Sequence, residues 1–328
     1  MKCIILCMSC NLDYYQRYES MVRDTWGRPV LEGWHDNIDL WFCTSGDFNG
    51  IDTDKHIIYV NTKDNLFNTF NKCIKTFEII DKYFDYDFIL KTNCTTVVNI
   101  QLLTQLIDTL DPTKTYINSF VDCNDNMDTF SGFFIMFPRF MIKWFIQSQY
   151  ENVLTINDEV YINYSPDRIF QGCDDQIMTY LFKMYYNNRN IDFMDNICFI
   201  ASGHYKNLEI KNWMVRNYNE TYAYNVDEGY DELNLEYFSK FLTIRCKVHE
   251  AEEHLSDFNL TIDDVRYRTL QNIYELGNLF MMKIDDDLIQ YNIQNIHKEL
   301  KYSYRLVNTY HIFSKAKKEI MNEIFNRK

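Results

Sequence analysis

The sequence predicts an α/β protein in which helices cover both faces of a mostly parallel sheet, followed by a helical domain. Over roughly the first two-thirds of the 328 residues, short apolar runs alternate with segments of helical periodicity, as expected for βαβ units. From about Asp227 the chain changes to long, charged stretches of helical periodicity with almost no strand signal. We therefore expect an α/β domain at residues 1–226 and a helical domain at residues 227–328.

Continuous apolar runs predict the buried strands, because a strand covered on both faces has no polar side. The predicted strands are Ile4–Met8, Asp39–Thr44, His56–Val60, Tyr86–Lys91, Tyr116–Val121 and Phe133–Phe137. In open α/β sheets, ligands bind beyond the carboxyl ends of the strands. We therefore expect functional residues just after Met8, Cys43, Leu90 and Phe120.

Apolar residues at helical spacing predict the helices, and Asp64 stands where the N-cap of one of them would be. The predicted helices are Tyr14–Trp26, a segment from Asp64 to about Tyr83, Ile100–Leu110, Arg139–Gln149, Ile177–Tyr185, Leu233–Arg245, Asp263–Met282 and Asp287–Asn326. The adjacent acids Asp174 and Asp175 come at the start of one of these helices, where the helix dipole favours negative charge.

The chain carries 47 acidic against 33 basic residues, for a net charge of −14. Proteins that bind nucleic acid through its phosphates present a basic surface, whereas the most basic segment here, residues 315–328, ends a predicted helix. The charge therefore disfavours long nucleic acid and anionic membranes as partners. The 46% content of hydrophobic residues is enough for a buried core and excludes a disordered chain.

No apolar run approaches the roughly 20 residues that a membrane span needs, and the first residues lack the cleavage pattern of a signal peptide. Without an export signal, the ten cysteines are expected to be reduced, and their spacing does not favour a zinc site. We expect a cytoplasmic protein. The composition is typical of an AT-rich genome and favours a virus, a phage or a bacterium as the source; for a virus the location is the host cytosol.

The segment from Phe88 to Asn99 contains the strongest functional motif. A hydrophobic strand ends in Lys91, short polar residues follow at Asn93-Cys94-Thr95, and then comes an apolar pair. This arrangement resembles the strand and turn of the β1,3-galactosyltransferase/fringe-type glycosyltransferases of the GT-A fold. In that family an acidic run, which holds a divalent cation, stands where this chain has Asn93-Cys94-Thr95.

Three other places resemble the same family, in the same order along the chain. They are Arg17 with Arg23-x-Thr25-Trp26, the series Asp64, Asn68 and Lys72 spaced by four, and Ser131-Gly132-Phe133-Phe134 followed by Asp174-Asp175. The resemblance covers about Met1 to His204. No dinucleotide-binding glycine motif, P-loop or nucleophile elbow is present in the sequence.

The resemblance implies transfer of a sugar from a UDP-sugar to a hydroxyl group, with inversion at the anomeric carbon. Asp175, next to Asp174, corresponds to the family's general base, which removes the proton of the acceptor hydroxyl. The acceptor is expected to be a glycan, a protein side chain or a small hydroxyl compound. The helical domain is expected to shape the acceptor site or an oligomer interface.

The missing acidic run leaves the metal requirement open, because a hard cation prefers charged oxygen ligands. No metal ligand is assigned, and Mn²⁺ or Mg²⁺ stays an alternative. The residues expected to bind the nucleotide-sugar are Arg17, Arg23, Asp64, Asn68, Lys72, Lys91, Asn93, Thr95, His204 and Lys206. The cations among them would replace the metal charge on the diphosphate, and His204 would donate a hydrogen bond to a phosphate.

Two further alternatives stay open. The acidic loop with Asp122, Asp125 and Asp128 could hold a relocated metal, contact the acceptor, or be an ordinary solvated loop. The loss of the acidic run also fits a catalytically inactive GT-A-like domain that acts as a binding or chaperone-like partner.

Overall fold

The structure is a computed structural model. It describes residues 1–118, 120–123, 127–156, 159–165, 168–171, 173–200, 202–204, 235–246, 261–298 and 300. In chain order its strands are β1 (Cys3–Met8), β2 (Ile38–Ser45), β3 (Gly50–Asp52), β4 (Ile57–Val60), β5 (Phe88–Asn93), β6 (Thr96–Val98), β7 (Thr115–Ile117), β8 (Phe120–Cys123), β9 (Met127–Phe130), β10 (Ile135–Pro138), β11 (Val153–Ile156), β12 (Glu159–Ser165), β13 (Arg168–Gln171), β14 (Ile197–Phe199), β15 (Ser202–His204) and β16 (Thr243–Arg245).

The helices alternate with these strands over the first two-thirds of the chain. They are α1 (Asp13–Asp24), α2 (Arg28–Leu31), α3 (Thr69–Tyr83), α4 (Ile100–Leu106), α5 (Arg139–Asn152), α6 (Asp174–Asn187), α7 (Leu235–Phe238), α8 (Ile262–Met281) and α9 (286–298). Short 3₁₀ turns cover Leu66–Asn68, Ile107–Thr109 and Phe193–Asn196.

The main sheet contains eight strands in the order β14-β7-β10-β5-β1-β2-β4-β3. Four neighbouring pairs are parallel, namely β1–β2, β1–β5, β2–β4 and β7–β14. The pairs that β10 makes with β5 and β7, and the pair β3–β4, are antiparallel. The predicted α/β fold with a mostly parallel sheet is therefore confirmed.

The two faces of the sheet form two separate cores, because successive side chains of a strand point to opposite faces. On β1, Ile5 contributes to the core under α1, α4 and α8, whereas Ile4 and Leu6 contribute to the core under α3, α5 and α6. All three side chains are at most 1% exposed. Helices therefore cover both faces, as the continuous apolar runs predict.

The chain reverses its direction across the sheet between β1 and β5. From β1 it proceeds to β2 and β4 on one side, and α3 then returns it to β5 on the other side of β1. The carboxyl ends of β1 and β5 lie next to each other, with Met8 paired to Asn93. In open α/β sheets such a switch point is where ligands bind.

A small sheet of β15, β16 and β6 lies beside this switch point. It corrects the prediction of a helix over Leu233–Arg245, because that segment contains only the short helix α7 and then turns into β16. The strand β16 pairs with β6, which directly follows the turn after β5. Pairing with a strand 140 or more residues earlier therefore overrides the local helical periodicity.

Two other sequence predictions differ from the structure in detail. Asp64 is not an N-cap, since α3 begins only at Thr69 and a 3₁₀ turn precedes it. The predicted strand Tyr116–Val121 is divided between β7 and β8, which belong to different sheets.

The C-terminal helix α8 packs against α1, and its buried residues Ile273, Leu276 and Phe280 belong to the same core as β1. A Cβ atom on Gly277 would lie 2.3 Å from Thr25 Oγ1, so glycine permits this close approach. The predicted boundary at residue 226 stays a prediction, because residues 205–234 lie outside the described part. Among the described residues, no helix combines the length and apolar character needed to cross a membrane.

Candidate functional site

Lys91 forms the centre of an ion cluster at the carboxyl end of β5. Its Nζ lies 2.7 Å from Asp174 Oδ2 and 3.0 Å from Asp175 Oδ1, and it donates a hydrogen bond of 3.3 Å to the Gly132 carbonyl. The Lys91 side chain is only 3% exposed, whereas that of Asp175 is 24% exposed. One buried cation therefore faces two carboxylates, and the second of these is open to solvent.

Helix α6 positions both acids in its first turn. Cys173 is the N-cap, and the Gln176 side chain accepts a hydrogen bond from the Cys173 backbone N–H, which defines where the helix begins. The Asp174 N–H donates to Thr69 Oγ1 at 3.2 Å and so ties α6 to the start of α3. The acids thereby lie at the positive end of the helix dipole and against Lys91.

The pKa values in the cluster are set by burial and by the presence of one lysine between two carboxylates. Burial and the repulsion from Asp174 raise the pKa of Asp175 from its ordinary 3.8 to about 6, although Lys91 acts in the opposite direction. Burial alone would raise the pKa of Asp174, but Lys91 outweighs it and lowers this pKa. Burial would likewise lower the pKa of Lys91, but the two carboxylates raise it. Asp174 is therefore ionised at neutral pH, whereas Asp175 has a pKa of about 6, close to neutral pH.

Gly132 allows the Asp175 carboxylate to lie where it does. A Cβ atom at this position would come within 1.9 Å of Asp175 Oδ2 and 2.4 Å of its carboxyl carbon. The glycine of the Ser131-Gly132-Phe133-Phe134 motif therefore has a steric role next to the candidate base.

A second buried lysine, Lys72 of α3, lies at the carboxyl ends of β1 and β2. Its Nζ lies 2.6 Å from Asp64 Oδ1 and also donates to the Ser9 carbonyl. Asp64 accepts two further hydrogen bonds, from Ser45 Oγ at 2.6 Å and from the Asn11 N–H at 2.9 Å. Burial would raise the pKa of Asp64, but Lys72 and these hydrogen bonds lower it.

The two clusters adjoin each other along α3. Cys73, the residue after Lys72, has its Sγ 3.7 Å from Asp174 Oδ2 and 3.7 Å from Met8 Sδ. The predicted residues Asp64, Lys72, Lys91, Asp174 and Asp175 therefore lie along one edge of the main sheet, around the switch point.

The polar side chains of the turn Asn93-Cys94-Thr95 form hydrogen bonds with one another. Asn93 Oδ1 accepts hydrogen bonds from the Thr95 N–H, Thr95 Oγ1 and Thr96 Oγ1, at 3.2, 2.7 and 3.0 Å. Cys94 is fully buried, and its Sγ lies 3.5 Å from that of Cys7. These residues do not fit a divalent cation, because Asn93 Oδ1 already accepts three hydrogen bonds and the turn contains no carboxylate.

Among the described residues, one group has side chains spaced as metal ligands, Cys173, Asp174 and Asp175, whose ligand atoms lie within 4.8 Å of one another. The Lys91 ammonium already contacts both carboxylates. Burial also raises the pKa of Cys173 to about 12, which disfavours the thiolate that binds metals. The chemistry of this donor set therefore does not fit a divalent ion.

Three of the remaining predicted residues lie apart from the Lys91 cluster or are already engaged. Arg23 pairs with Glu19 at 2.8 Å and stacks over the Phe42 ring at 4.0 Å, and Arg17 is exposed on α1. Asn68 is buried, and its Nδ2 donates to the Lys63 carbonyl. Their predicted role in donor binding stays a prediction.

The predicted residues beyond α6 are only partly described. His204 lies in β15, where its backbone pairs with Arg245 of β16, and Lys206 lies outside the described residues. Of the acidic loop, Asp122 and Asp128 pair across β8 and β9, and Asp125 lies outside the described residues.

Arg245 is a cation near the Lys91 cluster that the sequence predictions missed. Its guanidinium lies over the Phe133 ring at 5.4 Å and interacts electrostatically with Asp175. The β-branched residues Thr243 and Ile244 just before it are a strand signal, which the helical periodicity of the surrounding segment concealed.

Comparisons with known sequences find no match, and comparisons with solved structures find similarity at low sequence identity. No family model and no curated protein matches the sequence. Among solved structures the chain is similar to the galactosyltransferase LgtC, determined in complex with donor and acceptor sugar analogues, with a TM-score of 0.38 and 8% identity over 88% of this chain and 98% of that chain. A likeness at this level carries no weight for the activity, so function is inferred from the site.

Proposed function

We propose that this chain is a GT-A-like glycosyltransferase that transfers a sugar from a UDP-sugar to a hydroxyl acceptor, with inversion. The observation that carries the proposal is the Asp175 carboxylate. It is partly open to solvent, lies at the sheet edge where ligands bind in such folds, and has its pKa raised to about 6. A general base works best when its pKa lies near the working pH. The order of the four motifs along the chain adds independent support.

In this proposal the UDP-sugar lies beyond the carboxyl ends of β1 and β5. Asp175 accepts the proton of the acceptor hydroxyl, and the acceptor oxygen forms a bond to the anomeric carbon. The bond from that carbon to the diphosphate oxygen breaks, and its electron pair leaves with UDP. Attack from the side opposite the leaving group inverts the anomeric centre, and Gly132 leaves room for the carboxylate beside the reacting atoms.

The diphosphate charge is proposed to be met by protein cations and hydrogen-bond donors. The turn that carries a metal in the resembling family has no carboxylate here, and its Asn93 oxygen is already engaged. The Ser9 hydroxyl at the end of β1 is buried without a hydrogen-bond partner among the described residues. Such groups usually have a partner, so Ser9 is a candidate donor to a bound nucleotide-sugar.

The acceptor is proposed to be a glycan, a protein side chain or a small hydroxyl compound. The net charge of −14 disfavours long nucleic acid. A cytoplasmic location remains a prediction from the absence of an export signal, and a viral, phage or bacterial source remains a prediction from composition.

A specific observation favours a second candidate function, that of an inactive GT-A-like domain serving as a binding partner. Lys91 contacts both carboxylates, and Asn93 Oδ1 accepts a hydrogen bond from the Thr95 N–H, so these groups have protein partners when no ligand is bound.

The test is nucleotide binding combined with donor turnover by the full chain. UDP, UDP-glucose, UDP-galactose and UDP-GlcNAc are added in thermal-shift measurements, each with Mn²⁺ and with EDTA, because a ligand that binds the native state raises Tm. UDP release from each sugar donor is then measured with and without acceptor hydroxyl compounds. We expect a Tm increase that persists in EDTA, and turnover of one of the donors.

The Asp175→Asn variant separates the two candidate functions. It is expected to lower turnover by about 100-fold or more, the size of a general-base contribution, while UDP binding persists. Asp263→Asn is the matched control, since Asp263 is exposed in the first turn of α8. No Tm shift with any nucleotide would favour the inactive domain, and full turnover by Asp175→Asn would remove Asp175 from the mechanism.

A further inference from the structure

Arg245 is a guanidinium without a hydrogen bond or ion pair to any residue that the structure describes. Other arginines of the described part behave differently, since Arg23 pairs with Glu19, Arg139 with Asp81, and Arg266 with Asp263. The five N–H groups of a guanidinium make it a strong donor that normally finds acceptors when it is partly buried. Within the described part of the chain, the N–H groups of Arg245 are therefore available to donate to a ligand.

The strand β16 holds Arg245 at the switch point. Thr243 and Ile244 are fully buried in the sheet, and Arg245 pairs in register with Thr96, at the end of the turn that follows β5. Because side chains alternate along a strand, Arg245 points away from the core face that Ile244 occupies. Its backbone is thus held by sheet pairing, while the residue as a whole is partly buried.

The residues around the Arg245 guanidinium leave it able to bind an anionic ligand. Its flat face lies over Phe133, 5.4 Å from the ring centroid. Asp175 interacts with it electrostatically without forming an ion pair, and Tyr15 at the start of α1 is also near. Burial lowers the pKa of Arg245, while Asp175 acts in the opposite direction.

Lys91 cannot supply the same positive charge to a ligand. It is 3% exposed and already faces two carboxylates, which together outweigh its charge. Lys72 is likewise buried against Asp64. Arg245, by contrast, has no ion pair among the described residues, and it lies near Asp175.

We propose that Arg245 binds the diphosphate of the nucleotide-sugar and stabilises the UDP leaving group, in place of a metal ion. The inference rests on the proposed function and assigns that role to a residue outside the resembling motifs. A guanidinium can form two parallel hydrogen bonds to phosphate oxygens, which a metal-free site needs for charge and for orientation. The C-terminal part of the chain would thereby complete the donor site.

The test measures UDP and uridine binding by isothermal titration calorimetry in EDTA, using the full chain. Arg245→Gln is expected to weaken UDP binding by about 10- to 100-fold, the effect of losing a charged hydrogen-bond donor. Uridine lacks the diphosphate, so its affinity is expected to change by no more than about twofold. Arg245→Lys should retain part of the UDP affinity, and Arg189→Gln, at the far end of α6, should bind UDP as the wild type does.

A second measurement avoids substitution altogether. Phenylglyoxal modifies accessible guanidinium groups, and peptide mass spectrometry reports which ones. UDP is expected to protect Arg245 from modification but not Arg189, which is exposed just beyond the end of α6.

The outcomes distinguish the two proposals. UDP binding by Arg245→Gln at wild-type affinity, equal losses of UDP and uridine affinity, or no protection of Arg245 by UDP would each overturn the assignment of Arg245 and leave the proposed function standing. Failure of the wild-type chain to bind UDP would overturn the proposed function and this inference together.

Discussion

Two buried lysines at the same sheet edge, Lys72 and Lys91, differ in the number of carboxylates with which they form ion pairs. Lys72 has one, Asp64, whose oxygens also receive hydrogen bonds from Ser45 and Asn11. Lys91 has two within 3.0 Å. The Lys72–Asp64 cluster, here called the closed cluster, contains one positive and one negative charge. The Lys91 cluster contains one lysine and two carboxylates, so it has one negative charge in excess when both acids are ionised. The second cluster thus contains a carboxylate that Lys91 does not neutralise, and this carboxylate, Asp175, is the proposed general base.

The pKa values reflect this difference. Lys72 lowers the pKa of Asp64 and Lys91 lowers that of Asp174, although burial acts against both. The pKa of Asp175 rises to about 6 because burial and the neighbouring Asp174 together exceed the effect of Lys91. Lys91 thus favours the ionised form of Asp174, while the pKa of Asp175, the proposed general base, is raised to about 6.

The largest expected effect comes from replacing each lysine by methionine. Lys91→Met leaves two carboxylates facing each other without a cation and is expected to lower the free energy of unfolding by about 3–5 kcal/mol. Lys72→Met leaves one carboxylate that keeps its two hydrogen bonds and should lose about 1–3 kcal/mol. Urea unfolding of both variants at pH 7 measures the difference, and equal losses would contradict the distinction between the clusters.

Asp175→Asn is expected to raise stability at neutral pH. The native state keeps a proton on Asp175 up to about pH 6, whereas the unfolded chain releases it near 3.8. Between these values the native state binds more protons, so the free energy of unfolding falls as the pH rises. The substitution removes this loss, which amounts to at most about 3 kcal/mol for two pKa units.

The stability gain of Asp175→Asn is checked by urea unfolding from pH 4 to pH 8. The gain should be greatest above pH 6 and disappear near pH 4, with Asp263→Asn showing no such change. A variant less stable than the wild type at pH 7 would show that Asp175 acts as a structural partner of Lys91.

Much of the main sheet could be predicted from the sequence, because buried parallel strands are continuous apolar runs. The strands β1, β2, β4 and β5 begin and end within two residues of their predictions, and α8 is shifted by one residue from the predicted Asp263–Met282. Short strands such as β6 and β16 have only three residues. Their existence depends on partners far along the chain, and local periodicity does not contain that information.

Individual residues of the candidate site could be predicted from the sequence, but the contacts between them could not. The sequence indicates Lys91, Asp174 and Asp175 through separate motifs, yet their contact joins residues 83 or 84 positions apart. Asp64 and Lys72 were expected on one helix, whereas Asp64 precedes α3 and reaches Lys72 from a loop. Arg245 was missed altogether, because only the fold brings a C-terminal strand beside the turn after β5.

The smallest expected effect concerns the closed cluster. Ser45→Ala removes a hydrogen bond of 2.6 Å to Asp64 Oδ1 and should lower the free energy of unfolding by about 1–2 kcal/mol at pH 7. Because the native pKa of Asp64 lies below its ordinary 3.8, its ionised contacts stabilise the protein above that pH, and this contribution is lost as the pH falls through the native pKa. The difference in the free energy of unfolding between Ser45→Ala and the wild type should therefore shrink as the pH falls.

Thr62→Val is the matched control, since it removes only the 3.2 Å contact with Ser45 and should give a difference independent of pH. A Ser45→Ala loss that stays constant down to pH 2 would mean that this hydrogen bond does not depend on the charge of Asp64, and the closed cluster would then owe its stability to packing instead.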